Sequence, residues 1–240
     1  DILNNEQEYY APSIIQEGLG SQGVARLGDV NRTSWQSETL LNYRDLFRGI
    51  HDISLMAGFS IEGNERNTLM AGSSGFVTDI LLTNDLSAGA NITTPQSSWA
   101  GWNLASWLGR ANYIYDDRYL FTISGRVDGS SRFGVESRYG FFPSGAFAWT
   151  VTNEDFFNVH SIEELKVRLS YGQTGNQEIG NFSHLNVLNS TDVILGDGRV
   201  IGFFPNAVAN PDLKWEKTEQ YNVGIDVQLL NGRIGLTTDY

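Results

Sequence analysis

The chain has 240 residues, of which 26 are Gly and none is Cys, and its formal net charge is −12. This charge argues against a nucleic-acid-binding protein, which needs a basic surface to neutralise phosphates. The absence of Cys excludes disulfides, thiolate zinc sites and cysteine nucleophiles. No stretch approaches 18 consecutive apolar residues, which excludes a transmembrane helix but leaves open a transmembrane β-barrel, whose strands alternate.

Apolar and polar residues alternate with a period of two in eight segments, which is the pattern of a strand with one apolar and one polar face. The predicted strands lie at about residues 35–43, 52–61, 105–115, 119–128, 138–151, 165–172, 220–229 and 233–240. No segment has the period of a long amphipathic helix. The sequence therefore predicts an all-β protein with antiparallel strands.

The last two strands form the clearest predicted hairpin. Asn231 and Gly232 separate them, and this pair favours a type I′ turn because both central residues of that turn need a positive φ. A two-residue turn at this point places Val223 opposite Tyr240 and keeps the residues between them in the same register. Apolar residues then face apolar residues across the pair.

Short connections alternate with long ones along the chain. The predicted long loops are Gly63–Asn103, Gly129–Ser137 and Thr174–Leu213. Outer-membrane barrels combine short periplasmic turns with longer extracellular loops in this way. We therefore expect residues 1–33 to be the end of a further extracellular loop and residues 34–240 to be part of a barrel domain.

The two faces of the predicted strands differ in chemistry. The apolar face is expected to contact lipid, and its members in the C-terminal hairpin are Val223, Ile225, Val227, Leu229, Ile234 and Leu236. The opposite face carries charges that suit a water-filled lumen, namely Arg110, Arg126, Asp128, Arg168 and Asp226. Aromatic residues near the short turns match the interfacial girdle of a membrane barrel, and they are Tyr43, Tyr113, Tyr115, Tyr119 and Trp149.

Two soluble alternatives remain open at this point. In a β-sandwich carbohydrate-binding module the apolar rows would pack against a second sheet. A β-rich glycoside hydrolase would need two convergent carboxylates, and no pair in the sequence is required to meet. Glu154-Asp155 and Glu163-Glu164 lie in a connecting segment, where we expect them to be solvated turn residues.

Three stretches carry a family resemblance. The first is RVDGSSRFG at 126–134, which is followed by YGFFPS at 139–144. The second is LKVRLSYGQTGN at 165–176, and the third is NPDLKWEKT at 210–218. In this order and spacing they resemble the SusC/RagA family of TonB-dependent outer-membrane transporters.

The resemblance implies a fold and a function. Members of this family have a plug inside a barrel of about 22 strands, so eight strands predict an internal fragment of such a barrel. The implied function is active import of oligosaccharides or peptides through the outer membrane of a Gram-negative bacterium, without bond chemistry, cofactor or metal. The implied partners are a SusD/RagB-like lipoprotein lid and the TonB complex, which acts through a plug outside this chain.

Exposed aromatic residues in the predicted long loops are the candidates for substrate contact, because a ring offers a large contact area at a small entropic cost. They are Trp99, Trp102, Phe203 and Phe204. We expect Arg126, Asp128 and Arg132 to belong to a tight outer hairpin whose charges point into water. The three histidines are isolated and lack metal-ligand spacing.

Overall fold

The computed structural model describes residues 1–205, 208, 210 and 212–240. Over these residues the protein consists almost entirely of β-strands. The strands are β1 (Ile2–Ala11), β2 (Val24–Phe47), β3 (His51–Phe76), β4 (Gly89–Tyr115), β5 (Tyr119–Ser130), β6 (Tyr139–Thr150), β7 (Ile162–Asn176), β8 (Leu188–Leu195), β9 (Gly198–Pro205), β10 (Glu216–Leu229) and β11 (Ile234–Asp239). A helix, α1 (Gln16–Leu19), and four 3-10 turns (Asp79–Leu81, Leu86–Ala88, Val135–Ser137 and Val151–Asn153) occupy connections. Within the described part of the chain no helix is long and apolar enough to cross a membrane.

Nine strands form one sheet in the order β1-β2-β3-β4-β5-β6-β7-β10-β11, and β8 and β9 pair with each other in a second sheet. The pairs β1–β2, β4–β5, β5–β6, β6–β7, β7–β10 and β10–β11 are antiparallel. Strands that follow one another in the large sheet are therefore neighbours in space, as in an up-and-down β-barrel. The predicted all-β antiparallel architecture is confirmed.

The chain divides into two compact units. The first consists of Asp1–Gln36 and Glu62–Asn103, and the second of Ser37–Ile61 and Leu104–Tyr240. In the first unit the connection between β3 and β4 is bonded to β1, because the Tyr10 hydroxyl donates to Asp79 over 2.6 Å. The second unit contains β5 to β11 and all three recognised sequence stretches.

All eight predicted strands are present, but their lengths and the loops were partly predicted wrongly. Gly63–Asn103 is not one loop, because β3 continues to Phe76 and β4 begins at Gly89. Thr174–Leu213 contains the β8–β9 hairpin. Residues 1–33 include β1 and the beginning of β2, which pair over ten residues. The segments that were predicted as loops but form strands have no clear apolar alternation. Backbone hydrogen bonds hold them as strands, and such bonds leave no period in the sequence.

The register predicted for the C-terminal hairpin is confirmed. Val223 and Tyr240 exchange two backbone hydrogen bonds of 2.9 Å. Asn231 and Gly232 have φ values of 59° and 70°, as the predicted turn requires, and the preceding Leu230 has a φ of 54° as well.

An exposed apolar face runs across the second unit. Successive cross-strand pairs join Tyr113, Phe121, Phe147, Leu169 and Val223 into one row. The rings of Phe121 and Phe147 lie 5.0 Å apart. Phe121, Leu169 and Val223 are nevertheless 44%, 46% and 47% exposed. A soluble sandwich would bury this row against a second sheet, and among the described residues no such sheet covers it.

The six residues predicted to face lipid share one face of the hairpin. Val227 pairs with Leu236, and Leu229 with Ile234, while Val223 and Ile225 lie four and two positions before Val227 on the same strand. Their contact with lipid stays a prediction.

An Arg on the apolar face should hinder membrane assembly. We expect Val223→Arg in the full-length protein to cost up to about 2–4 kcal/mol, depending on its depth in the bilayer. Asn222→Arg is the matched control, because adjacent residues of a strand point to opposite faces. Assembly would be measured by heat-modifiable migration of the outer-membrane fraction on gels. Equal assembly of the two variants would contradict the assignment of the faces.

Candidate functional site

The polar face of the second unit carries the five charged residues that the sequence predicted to face a lumen. Arg110 pairs with Ser124, which lies two positions before Arg126 on β5. Ser124 pairs with Ser144 on β6, and their hydroxyl oxygens are 2.6 Å apart. Since cross-strand partners share a face, this series extends through β7 to Arg168 and through β10 to Asp226. The structure brings the five residues to one face, whereas exposure of that face to a lumen stays a prediction.

The first charge pair of the polar face lies on β5. Arg126 donates through Nε to Asp128 over 2.6 Å and through Nη2 to the Ser106 hydroxyl over 2.9 Å. Asp128 and Ser106 are both buried. The expectation that the charges of this hairpin point into water is therefore wrong for Asp128. A buried carboxylate needs a charged or hydrogen-bonding partner, and Arg126 supplies it.

A second group of charges, formed by one arginine and two carboxylates, joins three strands. Arg168 on β7 donates two hydrogen bonds to Asp226 on β10, of 2.7 and 3.0 Å, and forms a 3.0 Å ion pair with Asp239 on β11. Gly224 on β10 lies directly between Arg168 and Asp239 in the register. A Cβ atom at Gly224 would lie 2.8 Å from Arg168 Nη2. Gly224 therefore leaves the space in which the guanidinium crosses β10.

Arg110 differs from the other charges of the polar face. Its side chain is exposed, and no described residue forms a hydrogen bond or ion pair with it. It lines an open cavity of about 490 Å³ together with Ser124, Ser144 and Gln173. The described residues that line this cavity include hydroxyls, amides and the Arg110 guanidinium, which can bind polar groups.

The first and third recognised stretches meet at Trp215. Its ring centroid lies 4.9 Å from that of the fully buried Phe133 and 5.4 Å from that of Phe142. The Trp215 indole also donates to the backbone carbonyl of Arg138 over 3.1 Å. Residues 126–134, 139–144 and 210–218 therefore form one aromatic cluster, and only Pro211 of the last stretch lies outside the described residues. Sequence reasoning did not identify this cluster, although a Trp within a recognised stretch was a usable signal.

Two glycines make room for the ring of Phe142. A Cβ atom at Gly140 would lie 2.5 Å from the ring of Phe142 and 3.1 Å from the ring of Trp215. Gly175 of the second recognised stretch approaches the same Phe142 ring from β7. The close approach of backbone and ring is possible only without a side chain at these positions.

The four aromatic residues proposed for substrate contact lie on strands instead of irregular loops. Trp99 and Trp102 belong to β4, and both make contacts within the protein. Phe203 and Phe204 are adjacent on β9, where they pair with Ser190 and Asn189. Adjacent strand residues point to opposite faces. Phe203 and Phe204, which are 71% and 45% exposed, therefore cannot contact a ligand from the same face.

A hydrogen-bonded carboxylate organises the connection between β6 and β7. Glu154 accepts from the Tyr119 hydroxyl over 2.6 Å and from the Trp149 indole over 2.9 Å. It also accepts from Arg118 over 3.3 Å, and Arg118 contacts Asp155 as well. The hydrogen bond from Tyr119, followed by that from Trp149, lowers the pKa of Glu154.

This arrangement corrects one expectation and weakens one alternative. Glu154 is not simply a solvated turn residue, although Asp155 is strongly exposed. The general acid of a glycoside hydrolase needs a raised pKa, whereas the pKa of Glu154 is lowered. Glu154 therefore does not have the electrostatics of that general acid.

The family follows from these features and from the sequence comparison. A long antiparallel meander with one exposed apolar face and one charged face has the construction of a transmembrane barrel wall. Residues 4–240 match the family model described as TonB dependent receptor-like, beta-barrel. The chain belongs to this family, and the predicted resemblance to SusC/RagA proteins is confirmed.

Individual relatives agree with this assignment. The chain is 37% identical over 238 residues to TonB-dependent receptor P3 of Formosa agariphila, a match that covers 99% of this chain and 24% of the relative. It is 43% identical over 146 residues to TonB-dependent receptor SusC of Bacteroides thetaiotaomicron, covering 58% of this chain and 14% of that protein. The chain thus spans about a quarter of the length of the first relative.

A solved structure has the same fold. The structure of the RagAB peptide transporter matches with a TM-score of 0.87 and 27% identity, over 99% of this chain and 26% of that chain.

The aromatic cluster predicts a large effect of a small substitution. We expect Gly140→Ala to destabilise the full-length protein by about 1–3 kcal/mol, because the added methyl overpacks the rings of Phe142 and Trp215. Gly109→Ala is the matched control, since a Cβ atom there meets nothing within 4 Å. Denaturant unfolding in detergent micelles would compare the two variants, and equal midpoints would show that the cluster tolerates the methyl.

The Glu154 contacts predict a pH-dependent contribution to stability. Because the folded-state pKa lies below the ordinary value of 4.5, ionised Glu154 stabilises the folded protein above that value, and the contribution is lost as the pH falls through the folded-state pKa. We expect the unfolding temperature to fall less for Glu154→Gln than for the parent between about pH 5 and about pH 3. Glu163→Gln, a change at an exposed residue near the beginning of β7, should behave as the parent. A parent-like pH profile for Glu154→Gln would contradict the assignment.

Proposed function

We propose that this chain is barrel wall of an outer-membrane transporter that imports an oligomeric nutrient, an oligosaccharide or a peptide, with energy supplied through TonB. The observation that carries the proposal is the two-faced sheet of a TonB-dependent receptor-like protein. Its apolar rows are exposed, while the charges of its polar face form ion pairs such as Arg168–Asp226. A wall between lipid and a wet lumen requires this division.

The proposed partner is a SusD/RagB-like lipoprotein that covers the extracellular end of the barrel. Support comes from the solved neighbours, which include a RagAB peptide importer in an open-open state and in a closed-closed state. In this chain the connections between β2 and β3, β4 and β5, and β10 and β11 are short. Those between β3 and β4 and between β7 and β10 are longer, which is why we assign them to the extracellular side.

The proposed division of the chain into an extracellular part and a barrel part follows from the same assignment of long connections to the extracellular side. Residues 1–33 belong to the extracellular part, in which β1 and the beginning of β2 extend the hairpin beyond the membrane, and residues 34–240 supply barrel wall and outer loops. Contact with substrate is assigned to Phe203, the most exposed of the four aromatic candidates. The role includes binding and gating but no bond chemistry.

Energy-dependent uptake tests the proposal. Cells that produce the full-length protein with its lipoprotein partner would be given fluorescent oligosaccharides and peptides of three to eight units. We expect accumulation of one of these classes in the periplasm only while the proton-motive force is intact. Uptake that continues unchanged with a protonophore would indicate a passive pore and would contradict active transport.

The same assay examines the substrate-contact assignment. Phe203→Ala should reduce uptake at low substrate concentration while leaving the amount of protein in the membrane unchanged, because an exposed ring contributes contact area without supporting a core. Phe156→Ala is the control, since Phe156 is similarly exposed, at 68%, and lies in the connection between β6 and β7. An equal effect of both variants would remove Phe203 from the proposed contact surface.

A further inference from the structure

The first unit contains an open groove on one face of strands β1 to β4. Its volume is about 330 Å³, which is within the range of ligand pockets. Gln7 and Tyr9 of β1 lie along it, directly opposite Gly28 and Arg26 of β2. Thr93 on β4 lines the groove as well.

Arg26 is the one charged residue among the described residues that line the groove. Its guanidinium carbon lies 5.7 Å from the centre of the Tyr9 ring. No described carboxylate forms an ion pair with it, although the chain has 28 acidic residues and a net charge of −12. A cation held against an aromatic face keeps its full charge, so Arg26 remains available to an anion.

Tyr9 has an acidic and a basic neighbour. The Glu17 carboxylate raises the pKa of the Tyr9 phenol, and Arg26 lies over the ring of the same tyrosine. The aromatic ring thus supports the cation at the groove without neutralising it.

Small residues form the floor of the groove. A Cβ atom at Gly72 on β3 would lie 3.4 Å from Thr93 Oγ1 and 3.6 Å from Arg26 Cγ. Gly72 thus separates the Thr93 hydroxyl from the stem of Arg26 and leaves a notch between them. At Gly28 an added Cβ atom would meet Gln7 at 3.7 Å, an ordinary contact, so a larger side chain could fill the groove from this position.

We propose that this groove binds an acidic saccharide unit, whose carboxylate or sulfate is bound by Arg26 and whose hydroxyls bond to Thr93 and Gln7. The inference rests on the proposed function and narrows its substrate class to acidic oligosaccharides. Arg recognises carboxylate and sulfate-like groups through two parallel donors. Hydroxyl and amide side chains around this cation suit the hydroxyls of a sugar ring.

The backbone favours a saccharide over a peptide. Extended peptides are commonly bound by unpaired strand edges, whereas this groove lies on a face of the sheet, where Tyr9 and Arg26 are a cross-strand pair. Recognition here depends on side chains alone.

Calorimetric binding to the purified full-length protein in detergent micelles tests the inference. The probes are trigalacturonate, a sulfated galactotriose, neutral galactotriose and triglutamate. We expect at least one acidic trisaccharide to bind more tightly than galactotriose, and Arg26→Gln to weaken that binding by roughly 10- to 100-fold. The tighter of the two acidic sugars identifies the anion as carboxylate or sulfate.

Three variants test whether binding of the acidic sugar depends on the groove itself or on unspecific effects of substitution. Gly28→Leu fills the groove while retaining Arg26, and it should abolish binding of the acidic sugar. Arg32→Gln removes the same charge from β2 outside the groove and should leave binding unchanged, as should Gly20→Ala, where an added methyl meets nothing within 4 Å. Heat-modifiable migration on gels would confirm that each variant is folded.

Several outcomes would overturn the inference. These are equal affinity for galactotriose, tighter binding of triglutamate, no binding of any trisaccharide, or an unchanged affinity in Arg26→Gln. Because calorimetry needs no energy source, its result is independent of transport. Energy-dependent uptake of neutral oligomers without binding of an acidic sugar would reject the proposed groove site and support the proposed transporter. Binding of an acidic sugar together with passive uptake would support the groove site and contradict active transport.

Discussion

Complete pairing of long antiparallel strands is the constraint on which the other features of this protein depend. Each strand places alternate side chains on opposite faces, and the ladder of backbone hydrogen bonds aligns these faces across neighbouring strands. Rows such as Phe121, Phe147 and Leu169 arise in this way from residues that are distant in sequence. A shift of one residue in any strand would exchange its apolar and polar faces. The register thus decides which residues belong to the apolar face and which to the polar face.

The polar face shows how charges are accommodated on such a wall. Asp128 and Asp226 are each bound by an arginine of the same face, and Gly224 makes room for one of these contacts. The two carboxylates are therefore neutralised locally. Arg110 in the second unit and Arg26 in the first lack such partners among the described residues. In an acidic chain, each of these two residues offers attraction for an anion beside an open cavity.

The accuracy of the sequence-based predictions depended on whether a strand has two different faces. The register of the C-terminal hairpin was predicted to the residue, because its apolar face and its Asn231-Gly232 turn each define it. The extensions of β3 and β4 were predicted as a loop, because polar and small residues occupy both of their faces. Backbone hydrogen bonds hold these segments as strands, and such bonds do not depend on side-chain type. Trp99 and Trp102 were consequently assigned to a loop although they lie on β4.

The sequence by itself determined the fold class, the eight alternating strands, the chemistry of the two faces and the family, because these depend on local periodicity and on short stretches of residues. Only the tertiary structure decided which distant residues meet. Phe133, Phe142 and Trp215 form one cluster, and Arg26 and Thr93 border one groove, because strand pairing brings them together. Such contacts arise from register across several strands, and no local pattern in the chain records that register.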